Sequence, residues 1–296
     1  MSRTGGRVSM VELPAGIPRD AAPGDVADGL RLLQARGVWR RSLGEFVQLA
    51  WREIESRPYV PNWHILALTE HLEKVNRGEV RALIACYPPR HSKSLITTVF
   101  WPAWTWLRVR AGMPLSGPRV SFAFASWSAG LATDHNLTLR RLVDSAWYRA
   151  AAGAGFAVDP KVSRADDFRL TTGGRAFATS VNSTVVGYGF DVRVADDASP
   201  IQSIDSGADR AAVARWYDEV WKSRVEDPKR SAEVIIMQRA HQQDLVGHVL
   251  GSPRAGDFTM LCLPAEYDPD HKYRWSGDPR TSQGRETSAL RPEGRH

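Results

Sequence analysis

Cysteine is nearly missing from this chain: 296 residues hold two, Cys86 and Cys262. Two thiols exclude a disulfide scaffold, and a thiolate zinc site would need further ligands close by. Both sit in apolar runs and lack a positioned base, which predicts buried, reduced thiols. Long apolar runs are missing too. The longest, residues 99–107, is too short to cross a bilayer and contains Pro102. The first 24 residues hold no apolar stretch of signal-peptide type. These absences predict a soluble, intracellular protein. The eight histidines are scattered, and no pair has metal spacing with carboxylate support. His241 and His248, seven positions apart, are expected to face solvent. There is no internal repeat.

What is present is globular. Hydrophobic residues make up 43% and charged residues 24%, close to ordinary averages. That excludes wholesale disorder and a coiled-coil rod. The length allows one large domain or two modest ones. Thirty-nine basic residues against 33 acidic give a net charge of +6. Mild basicity suits a polyanion partner and equally suits many ordinary proteins.

Residues 1–28, rich in Gly, Pro and Ala, read as a flexible arm. Apolar positions then recur at helical spacing: Leu30, Leu33 and Val38, then Leu43, Phe46, Val47, Ala50, Trp51 and Ile54. A break with two prolines precedes a second amphipathic helix that carries Ile65, Leu66, Leu68, Leu72 and Val75 and closes at Gly78. Beyond it, short continuous apolar runs at 81–87, 120–125, 190–195, 233–238 and 258–264 read as strands buried on both faces. Helical stretches at 92–110, 129–142, 205–225 and 243–250 alternate with them, and Pro102 is expected to kink or end the first. Gly173-Gly174 marks a hairpin within 168–181. This alternation predicts an α/β domain with a mostly parallel central sheet and helices on both faces. The pattern stops after Pro264, so residues 266–296 read as a linker or tail.

One segment carries the strongest chemical signal: Pro88-Pro89-Arg90-His91-Ser92-Lys93-Ser94, placed between a buried strand and a helix. A phosphate-binding P-loop belongs there, because backbone N–H groups and a helix start cradle phosphate oxygens. Lys93 suits the β and γ phosphates, and the Ser94 hydroxyl suits Mg²⁺. The usual pattern has glycine where this chain has Ser92 and Tyr87. The same Lys-Ser also suits an ordinary helix start. About a hundred residues on, a strand ends in Asp196-Asp197. One carboxylate suits a Mg²⁺ shell and the next suits an attacking water. Taken alone, the pair also reads as a solvated acidic turn, and Arg193 interrupts the strand's hydrophobicity. Gln238 leaves another buried strand, where a polar residue can sense a γ-phosphate or simply cap the strand. Trp101, Trp104 and Trp106 are expected in the core rather than as a base-stacking platform.

In this order the motifs resemble the ATPase domain of the phage terminase large subunit. The likeness covers roughly residues 55–265. It rests on the Pro-Pro-Arg-His-x-Lys-Ser loop and the Gly187-Tyr188-Gly189-Phe190-Asp191 lead into Asp196-Asp197. The Trp216-Tyr217 helix ending near Ser223-Arg224, the stretch from Met237 to Leu245, and Trp63-His64 add to it. The resemblance implies an additional-strand P-loop NTPase over residues 29–265, with 29–78 as a helical lead-in. It implies ATP and Mg²⁺ as ligands. Nucleotide would be held by Pro89, Arg90, His91, Ser92, Lys93 and Ser94, with Trp63 and His64 on the adenine side. Ser94 and Asp196 would serve the metal, Asp197 would be the catalytic carboxylate and Gln238 the coupling residue. Arg90 falls where an arginine stabilises the transition state, and a structural role for it stays open.

Family members commonly keep glycine at Ser92 and glutamate at Asp197. They also carry a C-terminal nuclease, whereas nothing after Pro264 supplies its strands or carboxylates, so 266–296 resembles a linker toward an absent nuclease domain. No nuclease activity is expected of this chain. The implied partners are double-stranded DNA, a portal protein, a small terminase subunit and further copies in a homo-oligomeric ring, with no membrane. The implied location is the bacterial host cytoplasm, transiently at the procapsid portal. Arg140 and Arg141 are candidate DNA contacts. Two other readings stay open: an inactive prophage copy that binds DNA or partners without hydrolysis, and another P-loop translocase or helicase.

Overall fold

A computed structural model describes residues 42–280 apart from positions 154, 182, 184–186 and 274. The expected N-terminal arm, the helical positions Leu30, Leu33 and Val38, and the end of the tail lie outside the described residues.

The chain enters through two helices. α1 (Leu43–Ile54) begins where the Ser42 side chain accepts a hydrogen bond from the Glu45 amide, and it buries Leu43, Phe46, Val47 and Ala50. α2 (Trp63–Asn76) follows the proline break and buries Ile65, Leu68, Leu72 and Val75. β1 (Ala82–Cys86) is buried at every position. A loop then leads into α3, a continuous helical segment of three parts: Lys93–Leu95, a π turn at Ile96–Phe100, and Trp101–Leu107. Pro102 neither ends nor breaks it. The wider π turn lies immediately upstream, and Pro102 sits in the first turn of the last part, where its missing N–H is best tolerated.

The remaining elements are β2 (Ser121–Ser126), α4 (Ala129–Asp144), α5 (Ala146–Ala152), β3 (Val158–Ser163), β4 (Asp167–Leu170), β5 (Arg175–Ser180) and β6 (Val192–Asp196). After them come α6 (Gly207–Trp216, prolonged by a π turn at Tyr217–Trp221), β7 (Ala232–Met237), α7 (Leu245–Leu250) and β8 (Thr259–Cys262). The hairpin expected around Gly173-Gly174 is β4–β5. α5 and β3 have no counterpart in the sequence reading. β3 alternates only between half-buried and exposed residues, so it carries little apolar signal.

All eight strands form one sheet in the order β3-β4-β5-β2-β6-β7-β1-β8. Every pair from β5 to β8 is parallel, and the β3–β4 and β4–β5 pairs are antiparallel. This is an α/β fold with a mostly parallel sheet. Alternate strand residues serve opposite faces. Leu83 and Ala85 join Phe122, Phe124, Val194 and Ile236 beneath α1 to α5. Ala82, Ile84 and Cys86 join Ala123, Ala195, Ile235 and Met237 beneath α6 and α7. Trp101, Trp104 and Trp106 are fully buried core residues.

Arg193 is buried in the middle of the sheet as well. Its register partner on β7 is Glu233, whose carboxylate meets Arg193 at 3.5 Å and Arg254 at 3.1 Å. Arg193 also donates to the Trp221 carbonyl at 2.8 Å. The strand tolerates the cation because the neighbouring strand supplies its counter-charge. No helix among the described residues is long and apolar enough to cross a membrane.

The first core is pinned by Asn76, which is fully buried. Its amide donates to the Leu115 carbonyl at 2.6 Å and the Thr105 hydroxyl at 3.0 Å, and its oxygen accepts from the Trp101 indole at 2.5 Å. Replacing Asn76 with alanine strands an indole N–H and a carbonyl in an apolar interior, each worth about 1–3 kcal/mol. Asn76→Ala should therefore lower the unfolding free energy by roughly 2–4 kcal/mol in urea titrations. A loss within experimental error would contradict the network.

Candidate functional site

In open parallel sheets, ligand sites form beyond the carboxyl ends of the strands. Here β1, β7 and β6 are sheet neighbours, and their carboxyl ends deliver three polar segments to one place. β1 runs into residues 87–92 and α3, β6 ends at Asp196 with Asp197 next, and Gln238 follows the end of β7.

The loop is bent by two residues in the left-handed region, Arg90 at φ 63° and Ser92 at φ 57°. Left-handed residues of this kind also occur in anion-binding nests, where successive backbone N–H groups converge. Glycine adopts this conformation without strain, and serine pays about 1–2 kcal/mol for it. Lys93, only 6% exposed, follows at once and puts its Nζ 2.6 Å from Asp197 Oδ2. Ser94 Oγ donates to Asp196 Oδ1 at 2.8 Å. Asp197 also takes a left-handed turn (φ 43°) as the chain leaves the sheet, and its Oδ1 accepts from the Gln238 backbone amide at 3.0 Å.

Lys93, Ser94, Asp196, Asp197 and Gln238 are thus drawn into one cluster, with Gln238 joined through its backbone. Arg90 is exposed on the loop and makes no ion pair or hydrogen bond among the described residues. Pro89 is exposed, and its carbonyl lies 2.7 Å from His91 Nδ1. His91 also packs edge-on against His64, with ring centroids 5.0 Å apart. Burial, then the nearby His91, push His64 down to about 4, so it is neutral at pH 7. Trp63 is stacked on Trp275, centroids 6.2 Å apart, and Arg280 lies over its ring at 5.1 Å. Arg280 is paired in turn with Asp278 at 2.6 Å. The segment read as the start of a tail therefore packs against α2 at Trp63. Arg140 donates to the Ser163 carbonyl at 2.6 Å, and Arg141 to the Thr138 hydroxyl at 2.9 Å.

The sequence reading missed His135. It lies on α4 with Nδ1 3.7 Å from Asp196 Oδ2. Burial pushes its pKa down, against a smaller opposing pull from Asp134. The only signal was the polar triplet Asp134-His135-Asn136 inside an amphipathic helix.

Asp196 is 2% exposed. Burial first, and the neighbouring Asp197 second, push its carboxyl up to about 7, while Lys93 and Ser94 pull the other way. Two adjacent acids against one lysine leave the cluster short of positive charge. The donor set is hard oxygen, a buried carboxylate beside a serine hydroxyl. It fits a Mg²⁺ ion that completes its shell with phosphate oxygens and water. Among the described residues no group of three or more His, Cys, Asp or Glu is arranged to hold a metal by itself. The left-handed loop opening onto Lys93 fits a phosphate chain. A separate depression of about 580 Å³ lies at the opposite strand ends, where Arg81, Arg193, Glu233 and Arg254 line it.

No protein-family model matches the chain, and no curated protein matches it. Among solved structures, it is similar to the large terminase from a thermophilic bacteriophage, in a second crystal form. Sequence identity is 11% and the TM-score is 0.40. The match covers 65% of this chain and 44% of that one, so the chain spans less than half that protein's length.

The raised Asp196 pKa sets a pH dependence. The unfolded carboxyl loses its proton near its ordinary value of 3.8, whereas the folded one keeps it until about 7. Across that window the folded state binds more protons, so stability falls as pH rises. Asp196→Asn removes this effect. In metal-free buffer the variant should be more stable than wild type at pH 8, by on the order of a few kcal/mol. The gap should close as pH drops toward 5. Parallel melting curves for the two proteins across this range would contradict the assignment.

Proposed function

We propose that this chain is the ATP-hydrolysing motor domain of a DNA-packaging enzyme of the large-terminase kind. One observation carries the reading. The loop Lys93 and Ser94 meet the strand-end Asp197 and Asp196 at 2.6 and 2.8 Å, about a hundred residues apart in sequence. A solvated acidic turn would not place its two carboxylates on the first two helical residues after a left-handed loop. The order of motifs along the chain supports the terminase kind among P-loop enzymes.

In this reading the backbone of residues 88–92 and the Lys93 ammonium bind the β and γ phosphates of ATP. Bound Mg²⁺ would neutralise charge on the β and γ phosphoryl oxygens. Ser94 and Asp196 are the residues that would hold it. Lys93 exchanges its Asp197 partner for phosphate oxygens. Asp197, so released, accepts a hydrogen bond from the attacking water and orients it, while the Gln238 amide fixes the other carboxylate oxygen. Gln238 thereby joins the catalytic strand end to β7, a route by which hydrolysis would be felt elsewhere. Arg90, exposed on the loop, is free to turn toward a transferring phosphoryl group. Trp63 and His64 lie on the adenine side. The polyanion partner is double-stranded DNA, gripped through phosphate contacts by basic residues of several copies in a ring. A portal protein and a small terminase subunit complete the assembly, in the host cytoplasm.

Steady-state ATP hydrolysis with Mg²⁺, with and without double-stranded DNA, tests this reading. Lys93→Ala and Asp197→Asn should each lower kcat by about 10²–10⁴-fold. Asp197→Asn should still bind a fluorescent ATP analogue. DNA should stimulate the wild-type rate. Turnover that survives Lys93→Ala would sink the site. Nucleotide binding without any wild-type turnover would replace the motor by the non-hydrolysing copy.

A further inference from the structure

β1 and β8 are parallel neighbours, and Cys86 and Cys262 are Cα partners in their register. Both side chains join the core beneath α6 and α7. Adjacent strands run about 4.7–4.9 Å apart, inside the roughly 4.4–6.8 Å Cα separation that a disulfide spans. The two thiols lie close enough for each to shift the other's titration. They differ in access: Cys86 is 4% exposed, and Cys262 is half-buried. A cleft of about 330 Å³ opens onto the pair, lined among others by Pro88, Pro89, Arg239 and His271. His271 Nε2 lies 3.8 Å from Cys262 Sγ. The expectation of two buried, reduced thiols without a positioned base therefore needs correcting at Cys262, which is half-buried and has His271 beside it.

We propose that Cys262 and Cys86 form a peroxide-reactive thiol pair, with Cys262 the attacking thiolate and Cys86 the resolving thiol. The neighbouring Cys86 thiol, and the Arg239 charge after it, hold the Cys262 thiol below its ordinary range despite burial. The adjacent Cys262 thiol and burial hold Cys86 well above it. The thiolate is the nucleophile, so reaction starts at Cys262. Its sulfur attacks one oxygen of hydrogen peroxide, the O–O bond breaks, and the departing hydroxide takes up a proton as water. Cys262 is left as a sulfenic acid. Cys86 sulfur then attacks Cys262 sulfur, the S–O bond breaks, and the Cys86 proton leaves with the hydroxyl as a second water. In sum, two thiols and one peroxide give one disulfide and two waters.

Cys86 is the last residue of β1, and Tyr87 through Ser92 follow it directly. A covalent tie from β8 to this strand end would constrain the loop's root. That consequence rests on the nucleotide reading, whereas the thiol chemistry does not.

The test treats the reduced full chain with hydrogen peroxide and follows intact mass and peptide maps. The expected product is a monomer lighter by two hydrogens, with a Cys86–Cys262 cross-linked peptide. Dimedone added early should label Cys262 before Cys86, a readout that needs no variant. Cys86→Ser should stop at a dimedone-trapped sulfenic acid on Cys262. Cys262→Ser should react about tenfold more slowly or less. Equal labelling of both cysteines, or oxidation that yields only intermolecular dimers, would overturn the pair. ATP hydrolysis by oxidised and reduced protein is measured in parallel. The mass readout stands even if neither form hydrolyses ATP, so failure of the pair and failure of the motor reading are distinguishable.

Discussion

Two neighbouring carboxylates at the end of a buried strand are the constraint around which this structure is arranged. Asp196 is the last residue of β6 and is 2% exposed. An isolated buried carboxylate would simply neutralise. Asp196 goes part of the way, pushed up to about 7 by burial and by Asp197. The compensation for the pair comes from outside the strand: a serine hydroxyl from α3 on Asp196, and on Asp197 a lysine from α3 and a backbone amide just after β7. Each requires β6, β7 and β1 to lie side by side and to end at the same height. Parallel pairing of these strands supplies that alignment, and no antiparallel neighbour would deliver its carboxyl end there.

A parallel sheet must be covered on both faces. Residue alternation on β1 shows how the sequence meets that demand. Leu83 and Ala85 face one layer of helices, and Ala82, Ile84 and Cys86 face the other. β6 carries charge near both ends and apolar residues between. Arg193 near its start is paired with Glu233 across the sheet, and Asp196 at its end with Ser94. The Arg193 pairing holds a strand together, since its partners are themselves protein charges. The Asp196 cluster leaves an excess of acid, and an excess is what a cation-bearing ligand can answer.

The sheet was legible because its central strands are continuous apolar runs, and the alternation with helices foretold the parallel pairing. The members of the candidate cluster, Lys93, Ser94, Asp196 and Asp197, could be picked out because loop and strand end sit at recognisable distances in sequence. What escaped the sequence was whatever depends on contacts between distant segments. Arg193 counted against burial until Glu233 stood opposite it. Pro102 signalled a break, and a π turn just upstream absorbed it. His135 reached Asp196 from a helix with no motif of its own. Cys86 and Cys262 read as two separate buried thiols because register between β1 and β8 cannot be seen along the chain. The segment 266–280 has no apolar period, yet stacking on Trp63 and the Arg280–Asp278 pair hold it against α2.

Backbone strain gives an independent view of the same place. Among the described residues, three that are not glycine have positive φ: Arg90, Ser92 and Asp197. Glycines elsewhere adopt such angles in turns, for example Gly78 and Gly173. For a residue with a Cβ the left-handed region costs about 1–2 kcal/mol. A chain selected for stability alone would hold glycine or asparagine at such positions. Here two of the three lie in the phosphate-loop candidate and the third is the carboxylate that faces it. Strain of this kind persists only where surrounding contacts over-determine it. At Asp197 those contacts are visible as Lys93 on one carboxylate oxygen and the Gln238 amide on the other. At Ser92 no side-chain cap supports the turn. The turn is held instead through the backbone, where the Ser92 carbonyl accepts from the Ile96 amide at 2.9 Å, and the phosphate proposed for this loop would add to that hold.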